Sequence, residues 1–140
     1  MKMNFKIIIA VFLIAAATLA VYGYKEYNRK QKDTAGMQSS FNISTVSLIQ
    51  DFEADENTAN KKYLDKVITV EGTVAKMEVS DSTQVVSLKG NSPMAFVNCQ
   101  FESRYKAAIS QLKVGGTVKV KGICTGMLMD VVLNRCVLIK

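Results

Sequence analysis

Hydrophobic and polar positions divide this chain into segments of different period. Residues 5–22 read FKIIIAVFLIAAATLAVY, apolar apart from Lys6 and Thr18, and residues 7–24 hold no charge. Eighteen helical residues at about 1.5 Å each span about 27 Å, enough for a bilayer core. Tyr22, Tyr24 and Tyr27 close the run, where amphipathic rings favour the membrane interface. A polar stretch follows at 25–43, which predicts a tether or an extension of the first helix. From Ser44 the period is helical: Leu48, Ile49, Phe52, Ala59 and Tyr63 share one stripe over 44–64, with Ser44 or Thr45 as cap. Asp55 falls on that stripe. It either breaks the helix and caps a second one near Glu56 or sits at the edge of the face.

After Asp65 the period becomes two. Residues 66–79 (KVITVEGTVAKMEV) alternate through Ile68, Val70, Gly72 and Val74, long for one strand, and Gly72 predicts a bulge or bend. Residues 83–88 and 94–101 predict a second and third strand, separated by the turn signal Gly90-Asn91-Ser92-Pro93. Tyr105, Ala108, Ile109 and Leu112 stand at helical spacing over 102–112, and Gly115-Gly116 ends that helix. Residues 117–124 put Val118 and Val120 inward and Lys119 and Lys121 outward, and 131–139 form the last strand. Strand-strand-strand-helix-strand-strand with a long first strand is the order of an OB-fold, a five-stranded Greek-key barrel. An SH3-like barrel, which lacks the helix, and a generic α+β sheet are the alternatives. The organisation expected is an N-terminal transmembrane helix or signal over 1–24, a tether over 25–43, and an OB-fold domain over 44–140 led by the helix 44–64.

Composition changes this picture in three places. The 140 residues carry a formal charge of +6, which invites a nucleic-acid reading, but residues 1–33 hold six basic and two acidic side chains of that excess. Lys2, Lys6, Lys25, Arg29, Lys30 and Lys32 flank the apolar run and belong to a membrane argument. Residues 66–140 keep ten basic against five acidic, and 44–65 two against five, so a mildly basic module follows an acidic segment. The absence of His removes Ser-His-Asp and Cys-His catalysis and His-ligated haem and zinc. The basic start and apolar middle also fit a cleaved signal peptide. The positive charges on the two sides of the run are nearly balanced, and a short N-terminal tail that stays in the cytoplasm would export the rest.

The run Leu48…Phe52…Asp55…Ala59…Tyr63, then Lys66-Val67-Ile68-x-Val70-x-Gly72, resembles a known family, together with Gly115-x-x-Val118-x-Val120-Lys121-Gly122-x-Cys124-x-Gly126 and Asp130-Val131-x-Leu133-x-x-Cys136. The resemblance is to the tRNA-anti-like OB-fold family of bacteria, over residues 44–140. It implies an OB barrel, often with an export or anchor segment. The shared positions are core residues and glycines, so the resemblance implies a fold rather than a ligand.

Candidate chemistry is sparse. A hairpin centred on Asp130 would face Cys124 with Cys136, within disulfide range if the domain is exported, and the plain alternative is two small buried hydrophobes. Cys99 shares a face with Val97 and Phe101 and reads as core. No metal site is expected: three Cys without His make a poor zinc set, and Met127 and Met129 beside Cys124 read as packing rather than as copper ligands. Basic candidates for a binding surface are Lys76, Lys89, Arg104, Lys106, Lys119, Lys121 and Arg135. Single-strand nucleic-acid binding also needs stacking aromatics on strands two and three. Only Phe96 and Phe101 are there, with opposite parity, so one at most points outward. Glu71, Glu78 and Asp81 are isolated acids, and no phosphate-cradling Gly-rich loop occurs. The chain is therefore expected to be a non-enzymatic binding module without cofactor, attached to a membrane through residues 5–24 and exported. Its expected partner is a protein, peptide or oligosaccharide, with a nucleic-acid strand as the rival.

Overall fold

The structure is a computed structural model and describes residues 4–28 and 34–139. Lys2, Arg29, Lys30, Lys32, Asp33 and Lys140, which entered the charge count, lie outside the described residues. Two units result, Met1–Lys32 and Asp33–Lys140, and each is described by itself.

The first unit is one helix, α1 (Phe5–Tyr27), of 23 residues. Its mean hydropathy reaches 2.4 and none of it is buried, so it is long and apolar enough to cross a membrane. The hydroxyl of Thr18, its one polar side chain between Lys6 and Tyr22, donates to the Ala15 carbonyl at 2.8 Å. The donor is satisfied inside the helix, as an apolar surrounding requires.

The second unit is built on the strand β2 (Val67–Val79). Its first half pairs antiparallel with β5 (Thr117–Met127), from Val67 opposite Ile123 to Thr73 opposite Thr117. Its second half pairs with β3 (Gln84–Lys89), from Val74 opposite Leu88 to Val79 opposite Gln84. Next come β4 (Phe96–Phe101), antiparallel to β3, and β6 (Val131–Ile139), parallel to β4 and antiparallel to β5. The circuit β2-β3-β4-β6-β5-β2 closes a five-stranded barrel. Ile68, Val70, Val86, Leu88, Val97 and Leu133 fill it, all fully buried. Each such side chain contributes about 1.5–3 kcal/mol. Between β4 and β5 the chain makes a 3-10 turn at Ser103–Tyr105 and a short helix α4 (Lys106–Ser110), shorter than the 102–112 expected. Ile109 of α4 is fully buried in the barrel core cluster, which sets the fold apart from an SH3-like barrel.

The helical stripe over 44–64 is two helices, α2 (Thr45–Ala54) and α3 (Glu56–Tyr63). Asp55 is the break. Its carboxylate accepts the N–H groups of Asn57 at 3.0 Å and Thr58 at 3.3 Å, capping α3, and the bond from the Thr58 hydroxyl, with these N–H bonds behind it, lowers its pKa. The expected tether 25–43 includes the end of α1, a 3-10 turn at Thr34–Gly36, and most of a sixth strand, β1 (Phe41–Ser44). β1 lies parallel to β2, Phe41 opposite Ile68. Phe41 and Ile43 pack on the core, Phe41 edge-on to Tyr63 with ring centres 5.2 Å apart.

Gly72 does not carry the bulge expected of it. The register of β2 slips between Val74 and Lys76 instead. Gly72 is required by a close approach: a Cβ there would stand 2.5 Å from Cγ2 of Thr45, whose hydroxyl donates to the Lys89 carbonyl at 2.8 Å. Gly72→Ala is expected to lower stability by about 1–3 kcal/mol. Thr45→Ala alone loses about 1 kcal/mol of hydrogen bond. The double variant should be more stable than the two losses added, which a urea-denaturation cycle measures.

α2 and α3 are tied by Tyr63, whose buried hydroxyl donates to Asp51 Oδ2 at 2.5 Å, with Lys62 Nζ at 3.2 Å from the same oxygen. The Tyr63 hydroxyl, more than Lys62, holds the Asp51 carboxyl below its ordinary value. A carboxyl with a depressed folded pKa adds stability above its unfolded pKa and loses it as pH falls through the folded value. Tyr63→Phe is therefore expected to destabilise by about 1 kcal/mol at neutral pH, the bond being partly solvent-screened. The gap from the unaltered protein should close on acidification below about pH 4, read as the urea midpoint against pH.

Candidate binding face

The outer surface of β3 and β4 carries the side chains that alternate with the core. Cross-strand partners set Lys76, Ser87 and Asn98 in one row and Glu78, Val85 and Gln100 in the next, with Lys89 opposite Phe96 at the end. These rows border a depression of about 280 Å³ lined by Lys76, Glu78, Val85, Ser87, Phe96, Asn98 and Asp130. Its polar groups are wired together. The Ser87 hydroxyl donates to Asn98 Oδ1 at 2.7 Å, and Asn98 Nδ2 donates to Asp130 Oδ2 at 3.0 Å. The Phe96 N–H donates to the other oxygen of Asp130 at 3.1 Å. Phe96 is half-buried and faces this surface, whereas Phe101 is in the core, so one aromatic is available, as parity predicts.

A larger groove of about 800 Å³ lies on the outer face of β1, β2 and β5. Its floor is two cross-strand rows, Asn42–Thr69–Lys121 and Ser44–Glu71–Lys119, with the pair Thr73–Thr117 beyond them. Lys121 is 9% exposed, and its ammonium donates to the carbonyls of Ala35 and Met37, both at 2.9 Å. It fastens the segment that leads into β1.

The seven basic candidates do not form one surface. Lys76 is on the β3–β4 side and pairs with Glu78; Lys119 pairs with Glu71 at 3.4 Å in the larger groove, which Lys89 and Lys121 also line. Near α4, Arg104 pairs with Glu102 at 2.9 Å and lies over the Tyr105 ring, and Lys106 pairs with Asp81 at 3.0 Å. Arg135 has φ +52° at a register slip of β6. Asp130, read from the sequence as a turn centre and as the first position of the last family motif, is the organising residue of the smaller depression.

The hairpin β5–β6 is out of the register that would oppose Cys124 to Cys136. Cys124 stands opposite Leu133, because the hairpin turns about Met129, with Met127 opposite Val131, and an extra residue of β5 between Cys124 and Met127, around Gly126 at φ +98°, moves the register one further. A side chain at Gly126 would also crowd Asn60 Oδ1 at 3.3 Å. Cys99, Cys124 and Cys136 are all buried and unbridged. Burial raises the pKa of the Cys124 thiol, and burial, reinforced by the Cys99 thiol, raises that of Cys136. Raised thiols make poor nucleophiles. Among the described residues no three His, Cys, Asp or Glu side chains converge as a metal set. Met129 is 86% exposed while Cys124 is in the core, so those sulfurs do not form a common site.

A closed five-stranded barrel with a helix between its third and fourth strands defines the OB-fold class. The tRNA_anti-like family model matches residues 1–138, and the chain belongs to that family. Among solved structures it is similar to a candidate nucleic acid-binding lipoprotein of Klebsiella pneumoniae subsp. pneumoniae MGH 78578. The identity is 20%, the match covers 80% of this chain and 100% of that one, and the TM-score is 0.61. The S. pombe Stn1–Ten1 complex matches at 16% identity over 53% of this chain and 58% of that one, TM-score 0.43. An OBody bound to hen egg-white lysozyme matches at 14% identity, over 56% and 86%, TM-score 0.45. At 20% identity the likeness to the Klebsiella structure shows the fold alone. None of the curated proteins matches the chain in sequence.

Proposed function

We propose that this protein is a membrane-anchored, non-enzymatic OB-fold module on the exported side of the membrane. Its barrel surface takes a charge-balanced ligand, a peptide or an oligosaccharide. The observation that supports this most is the disposition of its cations. Lys76, Arg104, Lys106 and Lys119 each stand against a carboxylate, and Lys121 is spent on two backbone carbonyls. A nucleic-acid strand is held by a continuous basic groove and by bases stacked on aromatic rings. Here the β3–β4 surface offers Phe96 alone for stacking, and the Asp130 carboxylate borders the same depression. The anchor reading rests on α1.

The second reading is single-stranded nucleic-acid binding, favoured by what the Klebsiella relative's name says of that protein. Titration of the full chain in detergent with labelled single-stranded DNA and RNA separates the two. Saturable binding should be absent even at about 50 mM salt, where phosphate contacts are strongest. Binding that weakens steeply with salt and drops in Lys89→Gln would overturn the proposal in favour of the second reading. Location is tested independently by external protease on spheroplasts carrying a C-terminally tagged chain. Loss of the tag is expected; a protected tag would put the barrel in the cytoplasm.

A further inference from the structure

Three large apolar side chains stand almost wholly in solvent on two loops of the barrel: Met94 at 84% exposure, Leu128 at 96% and Met129 at 86%. Met94 lies between β3 and β4, and Leu128 and Met129 between β5 and β6. The loops abut. Asp130 accepts the Phe96 N–H at 3.1 Å, and Val97 stands opposite Val131. The β5–β6 turn is closed by the Leu128 N–H on the Asp130 carbonyl at 3.3 Å. Residues 90–96 (GNSPMAF) and 125–129 (TGMLM) contain no charged side chain. The acid that follows them, Asp130, is turned back onto Phe96 and Asn98.

Single exposed hydrophobes are ordinary on a protein surface. Three on two abutting loops, with the adjacent charge turned inward, make a tip that can leave water without stranding a charge. The chain itself brings the occupant near. Six residues separate Tyr27 at the end of α1 from Thr34, a contour of at most about 25 Å. If α1 spans a bilayer, that surface is present at high effective concentration and outcompetes a freely diffusing apolar partner. We infer that the 90–95 and 128–130 loops insert Met94, Leu128 and Met129 into the boundary between lipid headgroups and acyl chains, a second membrane contact of the barrel. The inference rests on the anchor reading of α1.

The chain has no Trp, so Leu128→Trp installs a single tryptophan, excited apart from the tyrosines, at a site exposed enough to accept it. The control is Ser82→Trp, in the turn before β3, about 20 Å along that strand from the 90–95 loop. Each full-length variant is reconstituted into phosphatidylcholine vesicles with and without brominated acyl chains. The expected result is a blue-shifted L128W emission that brominated lipid quenches, while S82W emits as in water and is unquenched. An unquenched, water-like L128W on chains that float with the vesicles would overturn the inference and leave the anchor reading standing. A blue shift without quenching would overturn it too, by showing a protein cover instead of lipid. Quenching of both variants would overturn it as well, since the barrel would then lie in lipid without preference for the tip. Chains that fail to float would remove the anchor reading and the inference with it.

Discussion

The barrel depends on one strand serving two partners. β2 gives the backbone groups of Val67–Thr73 to β5 and those of Val74–Val79 to β3. In a flat strand the two partners would lie on opposite sides of an open sheet; closing the sheet into a barrel requires β2 to bend and coil. The slip between Val74 and Lys76 adds the local twist that lets the second half reach β3. Val74 is bonded at that point to the loop ahead of β5, donating to the Gly116 carbonyl and accepting the Gly115 N–H, both at 2.8 Å. The closure of the sheet, the position of α4 and the parallel pairing of β4 with β6 all follow from it. β1 then covers the edge of β2 that β3 leaves open along Ile68–Glu71.

Most of this was legible in the chain because periodicity reports burial. The alternation through Ile68, Val70 and Val74 and the stripe from Leu48 to Tyr63 both describe the core that forms. The break at Asp55 was legible as one of two choices, since an acid at that position is either a cap or an edge residue. What escaped was set by neighbours distant in sequence. Gly72 looked like a bend, and only the arrival of Thr45 from α2 shows that it leaves room for a side chain. The FNIS alternation of β1 is four residues long, too short to stand out within a polar stretch. The β5–β6 register was misread because the hairpin turns about Met129 rather than Asp130, and the slip near Gly126, which cannot be counted from spacing, moves Cys124 one position further.

Charge illustrates the same limit. A list of lysines along strands looks like a basic surface until their neighbours are placed. Glu71 is directly opposite Lys119 across the β2–β5 ladder, and Glu78 follows Lys76 on the same face of β2. The separation of acid and base in sequence is erased by pairing in the sheet. Such exposed pairs add little to stability. Their consequence is for recognition: a polyanion would have to displace a carboxylate at each of these cations, whereas a neutral chain of hydrogen-bonding groups would not.

Asp130 joins the two surfaces that the functional reading uses. One carboxylate oxygen holds the Phe96 N–H at the entry to β4, and the other holds Asn98, which is itself bonded to Ser87. The network fixes the floor of the β3–β4 depression. It also draws the charge away from Leu128 and Met129, so the same bonds that make the face polar leave the tip apolar. Face and tip are then one construction rather than two neighbouring features, since releasing Asp130 would loosen Phe96 and return a carboxylate to the loop. If α1 spans a bilayer, a ligand site beside a lipid-seeking tip would meet its partner at the membrane surface.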